Sequence, residues 1–124
     1  MTKQYLLGID IGTSACKVAL FGKDGKVEAT VSEGYPVYYP HPGWAEQNPE
    51  EWWSAVCGAV RQVIEEASVA PEEIAGVGID GQSWSAIAID RNGHVLTNTP
   101  IWMDTRAQSV CDRLNEEIGA EVNL

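Results

Sequence analysis

The stretch LLGIDIGTSACKVALF, residues 6–21, decides how the N-terminal part of this chain folds. Two apolar runs, at residues 5–10 and 15–21, are separated by a short polar turn, which predicts two closely connected strands. We expect the first strand to be buried on both faces, because its apolar run is nearly continuous. Asp10 ends the first run, and Gly12, Thr13 and Ser14 follow it, which is more polarity than a connection between two strands requires.

Further patterns extend this start into a mixed α/β domain. The turn signal Asp24-Gly25 precedes a third, alternating strand at residues 26–32, so the first three strands should form an antiparallel meander. After a proline-rich loop, a helix is predicted to begin at Asn48, a preferred N-cap residue, with Pro49 in its first turn. Its apolar residues recur at helical spacing until the helix ends near Ser68.

The second half of the chain predicts a series of shorter elements. Residues 71–73 indicate a short turn of helix, and residues 74–80 a strand that, like the first strand, ends on an acid. Residues 85–90 and 94–96 are predicted to be the strands of a hairpin, joined by a turn at 91–93. A last helix carries apolar residues at helical spacing, and we expect Asp104 to be its N-cap.

Composition and charge restrict the partners of this domain. Its 124 residues suffice for one domain, and the formal net charge of -10 disfavours nucleic acid or an anionic membrane surface. We find no signal-peptide pattern at residues 1–5 and no apolar run near the ~18 residues that span a bilayer. The three cysteines show no metal-binding spacing, so we expect reduced thiols and a cytoplasmic protein. Residues 119–124 follow a helical pattern without a closing strand, which fits a natural terminus and a cut equally well.

The polar turn has the chemistry of a phosphate site. Gly12 allows a ligand to approach the backbone closely, and the N–H groups and hydroxyls of a tight turn, here at Thr13 and Ser14, can surround an anion. Asp10 is suited to hold Mg²⁺ beside that anion, and Lys17 adds a positive charge. The same residues also fit a simple β-turn in which Asp10 bonds its own backbone, so the turn alone leaves both interpretations open.

Four sequence blocks resemble a known family. They are IDIGTS at 9–14, PGWAEQNPEEWW at 42–53, GIDGQ at 78–82 and IWMDTR at 101–106. In this order, over nearly the whole chain, they resemble the amino-terminal region of the FGGY carbohydrate kinases, within the actin/Hsp70/hexokinase superfamily, and most of all the pentulose kinases such as xylulokinase. The resemblance implies an α/β, ribonuclease-H-like fold with a mixed sheet. Residues 1–124 would then be part of the N-terminal kinase domain, with the C-terminal domain absent.

The resemblance also implies a reaction. Kinases of this family transfer the γ-phosphate of ATP, bound with Mg²⁺, to a hydroxyl of a small sugar or polyol, and a ketopentose such as xylulose is the implied substrate. The family's general base is an aspartate in the C-terminal half, so we expect no catalytic base among these residues and no activity from this chain alone. The resemblance also leaves open that the intact protein is a homodimer.

Residue roles follow from the same resemblance. Asp10 would lie at the metal ion, and the residues facing the ATP phosphates would be Thr13, Ser14, Ala15 and Lys17. The residues implied at the sugar are Gln82, Ser83, Trp84, Trp102 and Asp104.

Several alternatives stay open at this point. Ser83-Trp84 replaces the central residues of the Gln-Met-His-Gly typical of xylulokinases and the Arg-Glu of glycerol kinases, so the sequence does not define the sugar. Trp102 also fits a core position, and Asp104 a helix cap without a ligand. The alternative functions are an actin- or Hsp70-like nucleotide switch and, given five tryptophans, a non-catalytic carbohydrate-binding module.

Overall fold

The structure is a computed structural model that describes residues 4–119. Residues 1–3, considered above for a signal peptide, and residues 120–124, considered as a terminus or a cut, lie outside the described residues. The elements follow in this order: β1 (Tyr5–Ile11), β2 (Ala15–Gly22), β3 (Val27–Gly34), β4 (Glu46–Gln47), α1 (Pro49–Ala67), a 3-10 turn (Pro71–Glu73), β5 (Ile74–Gly81), β6 (Thr99–Pro100) and α2 (Gln108–Ile118).

A four-stranded mixed sheet with the strand order β3-β2-β1-β5 forms the centre of the structure. The first three strands are antiparallel neighbours, which confirms the predicted meander, and β5 lies parallel to β1. Because β1 and β5 run in the same direction, the residues that follow them emerge at the same end of the sheet. Beside this sheet, β4 and β6 pair as a short antiparallel ladder.

Helix α1 covers one face of the sheet and forms the core with it. Its buried residues Ala59 and Val63 belong to one apolar cluster with Val18 and Leu20 of β2. The Asn48 side chain accepts a hydrogen bond from the backbone N–H of Glu50 at 3.0 Å. At the other end, Ser68 adopts the left-handed conformation, with φ of 52°, and stops the helix. Both helix ends therefore lie where the sequence predicts them.

The prediction that β1 is buried on both faces is wrong. Leu7 and Ile9 are buried under α1, whereas Leu6 is 51% exposed and Asp10 is exposed. Successive strand residues point to opposite faces, and within residues 4–119 a helix packs on one face of the sheet only. An apolar run shows which residues a strand could bury, but burial also requires an element that packs on them.

Residues 85–90 and 94–96 do not form the predicted strands. Within the described chain they are joined by an isolated bridge between Ile89 and Val95. The predicted turn is present, because Gly93 has φ of 85° and the Asp90 N–H donates to the His94 carbonyl at 2.9 Å. Trp84 has φ of 70°, a left-handed conformation that interrupts the extended chain after β5, so the alternating pattern that follows does not continue in the main sheet.

Helix α2 begins at Gln108, so the prediction of Asp104 as its N-cap is wrong. Ala107 occupies the N-cap position, where its methyl side chain has no capping group. The Asp104 carboxylate instead binds the Ala45 N–H and the Arg106 side chain, which keeps it from the first turn of the helix. The predicted helix itself is present. Of the two helices in residues 4–119, neither is long and apolar enough to cross a membrane.

Replacing Asn48 with alanine tests the start of α1. The change removes the acceptor for the Glu50 N–H, so we expect the free energy of unfolding to fall by about 1 kcal/mol in denaturant titrations. Asn48→Ser is the control, since a serine hydroxyl also caps and should retain most of the stability. Equal stability of the alanine variant and the original protein would contradict a stabilising cap.

Candidate functional site

The turn between β1 and β2 is held by two side chains that bind its carbonyl groups. The Gly12 N–H donates to the Ala15 carbonyl at 3.0 Å, and a Cβ at Gly12 would lie only 3.1 Å from that oxygen, which favours glycine here. The Tyr35 hydroxyl donates to the Gly12 carbonyl, and Gln47 Nε2 donates to the Thr13 carbonyl at 2.6 Å. Burial is the main reason that the pKa of Tyr35 rises to about 12, so this donor keeps its proton at neutral pH.

These bonds use the carbonyls of the turn and leave N–H groups for a ligand. Within residues 4–119, the backbone N–H groups of Thr13 and Ser14 donate to no protein acceptor, and Ser14 is exposed. Neighbouring N–H groups of a tight turn form a concavity that suits an anion such as phosphate. The predicted phosphate contacts Thr13, Ser14 and Ala15 thus lie together on one turn.

Asp10, Lys17 and Asp80 form a row across the uncovered face of the sheet. Asp10 pairs in register with Lys17 of β2 and with Asp80 of β5, and all three residues are exposed. Residues in register on neighbouring strands project to the same face, and these three line a groove of about 580 Å³. Sequence reasoning selected Asp10 and Lys17 but missed Asp80. One signal in the sequence could have indicated Asp80: the predicted strands at 5–10 and 74–80 both end on an acid. The structure shows that these two strands are parallel neighbours.

The carboxylates of Asp10 and Asp80 fit a magnesium ion by their chemistry. Mg²⁺ prefers oxygen ligands, and it commonly takes one or two carboxylates and completes its shell with water and substrate phosphates. Within residues 4–119, no three acidic, histidine or cysteine side chains gather into a metal-binding group. Asp10 and Asp80 could supply such carboxylates on the uncovered face of the sheet.

Four of the five predicted sugar contacts come together beside the turn. Gln82, Ser83, Trp84 and Trp102 line a cavity of about 570 Å³ together with Thr13. The indole N–H of Trp102 donates to Thr13 Oγ1 at 2.9 Å, which fixes the ring at the wall of this cavity. Trp102 is 58% exposed in the described structure, so the alternative that it only fills the core is wrong.

Asp104, the fifth predicted sugar contact, is not among the residues that line this cavity. Its side chain is 5% exposed, and the Arg106 guanidinium binds it at 2.7 Å and Glu46 at 2.8 Å. The same guanidinium lies over the Trp44 ring, 3.7 Å from its centroid. Because Ala45 also donates to Asp104, this cluster ties the loop before β4 to the segment that carries Trp102.

Gln47 joins the turn to the loop after β5, and sequence reasoning missed it. The residue is 1% exposed. Its Nε2 donates to the Thr13 carbonyl and, at 3.3 Å, to the Pro36 carbonyl, while its Oε1 accepts from Trp52 Nε1 at 3.1 Å and from Gln82 Nε2 at 2.8 Å. Gln47 lies within the block at 42–53, but nothing in that block predicts its contacts with Thr13 and Gln82, which are distant in sequence.

The mixed sheet has the ribonuclease-H-like fold of the actin/hexokinase superfamily, which solved sugar kinases share. Residues 5–123 match the N-terminal domain of the FGGY family of carbohydrate kinases. The chain therefore belongs to this family. The assignment replaces the alternatives of an actin- or Hsp70-like switch and of a non-catalytic carbohydrate-binding module.

The relatives are named for different substrates. A glycerol kinase from Carboxydothermus hydrogenoformans is 37% identical over 115 residues, which are 92% of this chain and 23% of that protein. A xylulose kinase from Bacillus subtilis is 36% identical over 116 residues, 94% of this chain and 23% of that protein. The crystal structure of a gluconate kinase from Lactobacillus acidophilus superposes with a TM-score of 0.84 at 30% identity, covering 91% of this chain and 22% of that one. The chain thus spans about 23% of the length of these curated relatives.

Substitution of Asp104 by asparagine should change how stability depends on pH. The Arg106 side chain is the main cause that lowers the pKa of the Asp104 carboxyl from 3.8 to about 2. A lowered pKa in the folded state means that the carboxylate stabilises the fold above pH 3.8 and that this contribution disappears as the pH falls to about 2. We therefore expect the Asp104→Asn variant to be less stable than the original protein at neutral pH. The difference between their free energies of unfolding should narrow in acid.

Denaturant titrations between neutral pH and pH ~3 measure this difference in the free energy of unfolding. The lower end of this pH range lies between the two pKa values, where the contribution of the carboxylate is being lost. Glu116→Gln, on the exposed helix α2, is the matched control and should leave the stability at neutral pH nearly unchanged. A difference for Asp104→Asn that stays constant with pH would contradict the role of the Arg106 pair.

Proposed function

We propose that this chain forms part of the N-terminal domain of an ATP-dependent kinase that phosphorylates a ketopentose such as xylulose. The remaining part of such a kinase, including the adenosine site and the aspartate that acts as general base, would lie in a C-terminal domain outside these residues. Membership of the FGGY family supports the phosphotransferase class. The finer choice of substrate rests on the likeness of the four sequence blocks to those of pentulose kinases.

Thr13 carries this proposal, because it belongs to both halves of the site. Its backbone N–H lies on the turn suited to phosphate, while its hydroxyl accepts from Trp102 at the wall of the second cavity. Phosphoryl transfer requires a phosphate and an acceptor hydroxyl to be held next to each other in line. A turn that borders both a phosphate-type concavity and a cavity lined by indoles and polar groups meets that requirement.

On the phosphate side, we assign Thr13, Ser14, Ala15 and Lys17 to the phosphates of ATP and Asp10 to Mg²⁺. The ion, when bound, would neutralise charge on the phosphates. Lys17 stands in register with Asp10 on the same face, where its ammonium group can add positive charge beside a phosphate. Asp80 joins this assignment as a neighbour of Asp10 in the same row.

On the acceptor side, we assign Gln82, Ser83, Trp84 and Trp102 to the sugar. An indole packs against the C–H face of a polyol, and amide and hydroxyl groups bind its edges. Asp104 stays a predicted sugar ligand. Since Arg106 and Ala45 already bind its carboxylate, a contact with the sugar would have to be shared with them.

A panel of polyols tests the function and the substrate together. Intact protein containing this chain would be incubated with MgATP and glycerol, xylulose, ribulose or gluconate, and ADP release would be measured. We expect xylulose to give the highest kcat/KM and residues 1–124 alone to give no turnover. Phosphorylation by the isolated chain, or failure of every polyol to raise ADP release above the water rate, would refute the proposal.

We also place the intact protein in the cytoplasm, where MgATP is available. In the described structure Cys16, Cys57 and Cys111 are free, which suits a reducing compartment. A homodimer is the assembly we propose to test for the intact protein, by light scattering.

Asp10→Asn in the intact protein tests the metal and phosphate role. The amide keeps the shape of the side chain but removes its charge, so we expect kcat to fall by about 100-fold or more, with little change in melting temperature. Asp112→Asn, on exposed α2, is the matched control and should leave kcat unchanged. Near-original turnover by Asp10→Asn would show that Asp10 does not serve the phosphate.

A further inference from the structure

We propose that Gln47 is a positioning residue that fixes the phosphate turn and the loop after β5 relative to each other. Its catalytic consequence rests on the kinase function proposed above, whereas the coupling of the two loops does not. Gln47 itself is buried and lines neither the groove beside Asp10 nor the cavity beside Trp102. It would therefore act through its neighbours and not by touching a substrate.

The partners of Gln47 determine the orientation of its amide. The carbonyls of Thr13 and Pro36 can only accept, so the nitrogen Nε2 must face them. The indole of Trp52 can only donate, so the oxygen Oε1 must face it. The partners at both ends of the amide thus require the same orientation. In that orientation, Gln47 Oε1 is the acceptor for Gln82.

This orientation then determines the polarity of Gln82. Its Nε2 must donate to Gln47 Oε1, at 2.8 Å, and the same nitrogen lies 3.5 Å from the Gly12 carbonyl, which is also an acceptor. The Gln82 Oε1 atom remains, buried and without a partner within the described residues. Gln82 Oε1 is therefore an unused acceptor, closed to solvent, on a residue that lines the cavity beside Trp102.

The position of Gln47 gives this chain of bonds a rigid base. The residue closes strand β4, and the next residue, Asn48, caps helix α1, whose packing against the sheet forms the core. The turn after β1 bonds to the nitrogen of the Gln47 amide, and the loop after β5 bonds to its oxygen. A small displacement of Gln47 would thus move Thr13 and Gln82 together, and positioning errors of about 1 Å can cost about 100-fold in rate.

Steady-state kinetics of Gln47→Met in the intact protein test the catalytic consequence. Methionine has a similar length but neither donates nor accepts as an amide does. We therefore expect kcat to fall by about tenfold or more, with a smaller change in the KM for ATP or for the polyol.

Two control variants accompany this test. Gln62→Met, on the exposed face of α1, is the control for the substitution and should retain full activity. Val63→Ala, a core change on the same helix, is the control for lost stability and should lower the melting temperature with kcat within about twofold of the original. Loss of kcat by Gln47→Met no greater than that of Val63→Ala would overturn the proposal.

Hydrogen–deuterium exchange, read by mass spectrometry on the same proteins, tests the coupling without any activity. We expect Gln47→Met to accelerate exchange in peptides covering residues 11–16 and in peptides covering 80–86, whereas Val63→Ala should not single out these two segments. Acceleration in one segment alone, or in neither, would overturn the coupling. If no polyol is phosphorylated by the original protein, the proposed function fails, and the exchange result still decides whether Gln47 joins the two loops.

Discussion

The parallel pairing of β1 with β5 is the constraint on which the rest of the site depends. Because both strands run in the same direction in register, Asp10 lies beside Asp80, and the turn after β1 lies beside the loop after β5. The antiparallel pairing of β1 with β2 then places Lys17 on the other side of Asp10. Charged groups and both loops thus meet at one end of the sheet, although the sequence separates them by some seventy residues.

The core supports this arrangement through helix α1. The helix buries one face of the sheet, and its N-terminus follows directly on β4, so core packing also places Gln47 beneath the turn. A buried glutamine is costly unless its amide is fully bonded, and here both ends of the amide have protein partners. The same bonds that satisfy this buried group therefore give the two loops a fixed separation.

The sequence predicts the elements whose chemistry is local. The meander follows from apolar runs and a turn signal, and helix α1 follows from Asn48, Pro49 and a helical apolar pattern that ends at Ser68. Residues whose structure depends on distant partners could not be predicted in this way. Asp104 resembled an N-cap because the sequence does not show that Ala45, 59 positions away, binds it, and Gln47 has its site partners at Thr13 and Gln82.

The two tryptophans of the cavity beside Thr13 differ in how firmly the protein holds them. Trp102 is fixed through its hydrogen bond to Thr13, so its ring forms a constant apolar wall of the cavity. Trp84 is 91% exposed on a left-handed backbone, so packing within the described residues leaves its ring largely unconstrained. Ser83-Trp84 is also the pair at which this chain departs from the xylulokinase and glycerol kinase patterns. On the kinase function proposed above, discrimination between polyols would therefore depend on the Trp84 side of the cavity.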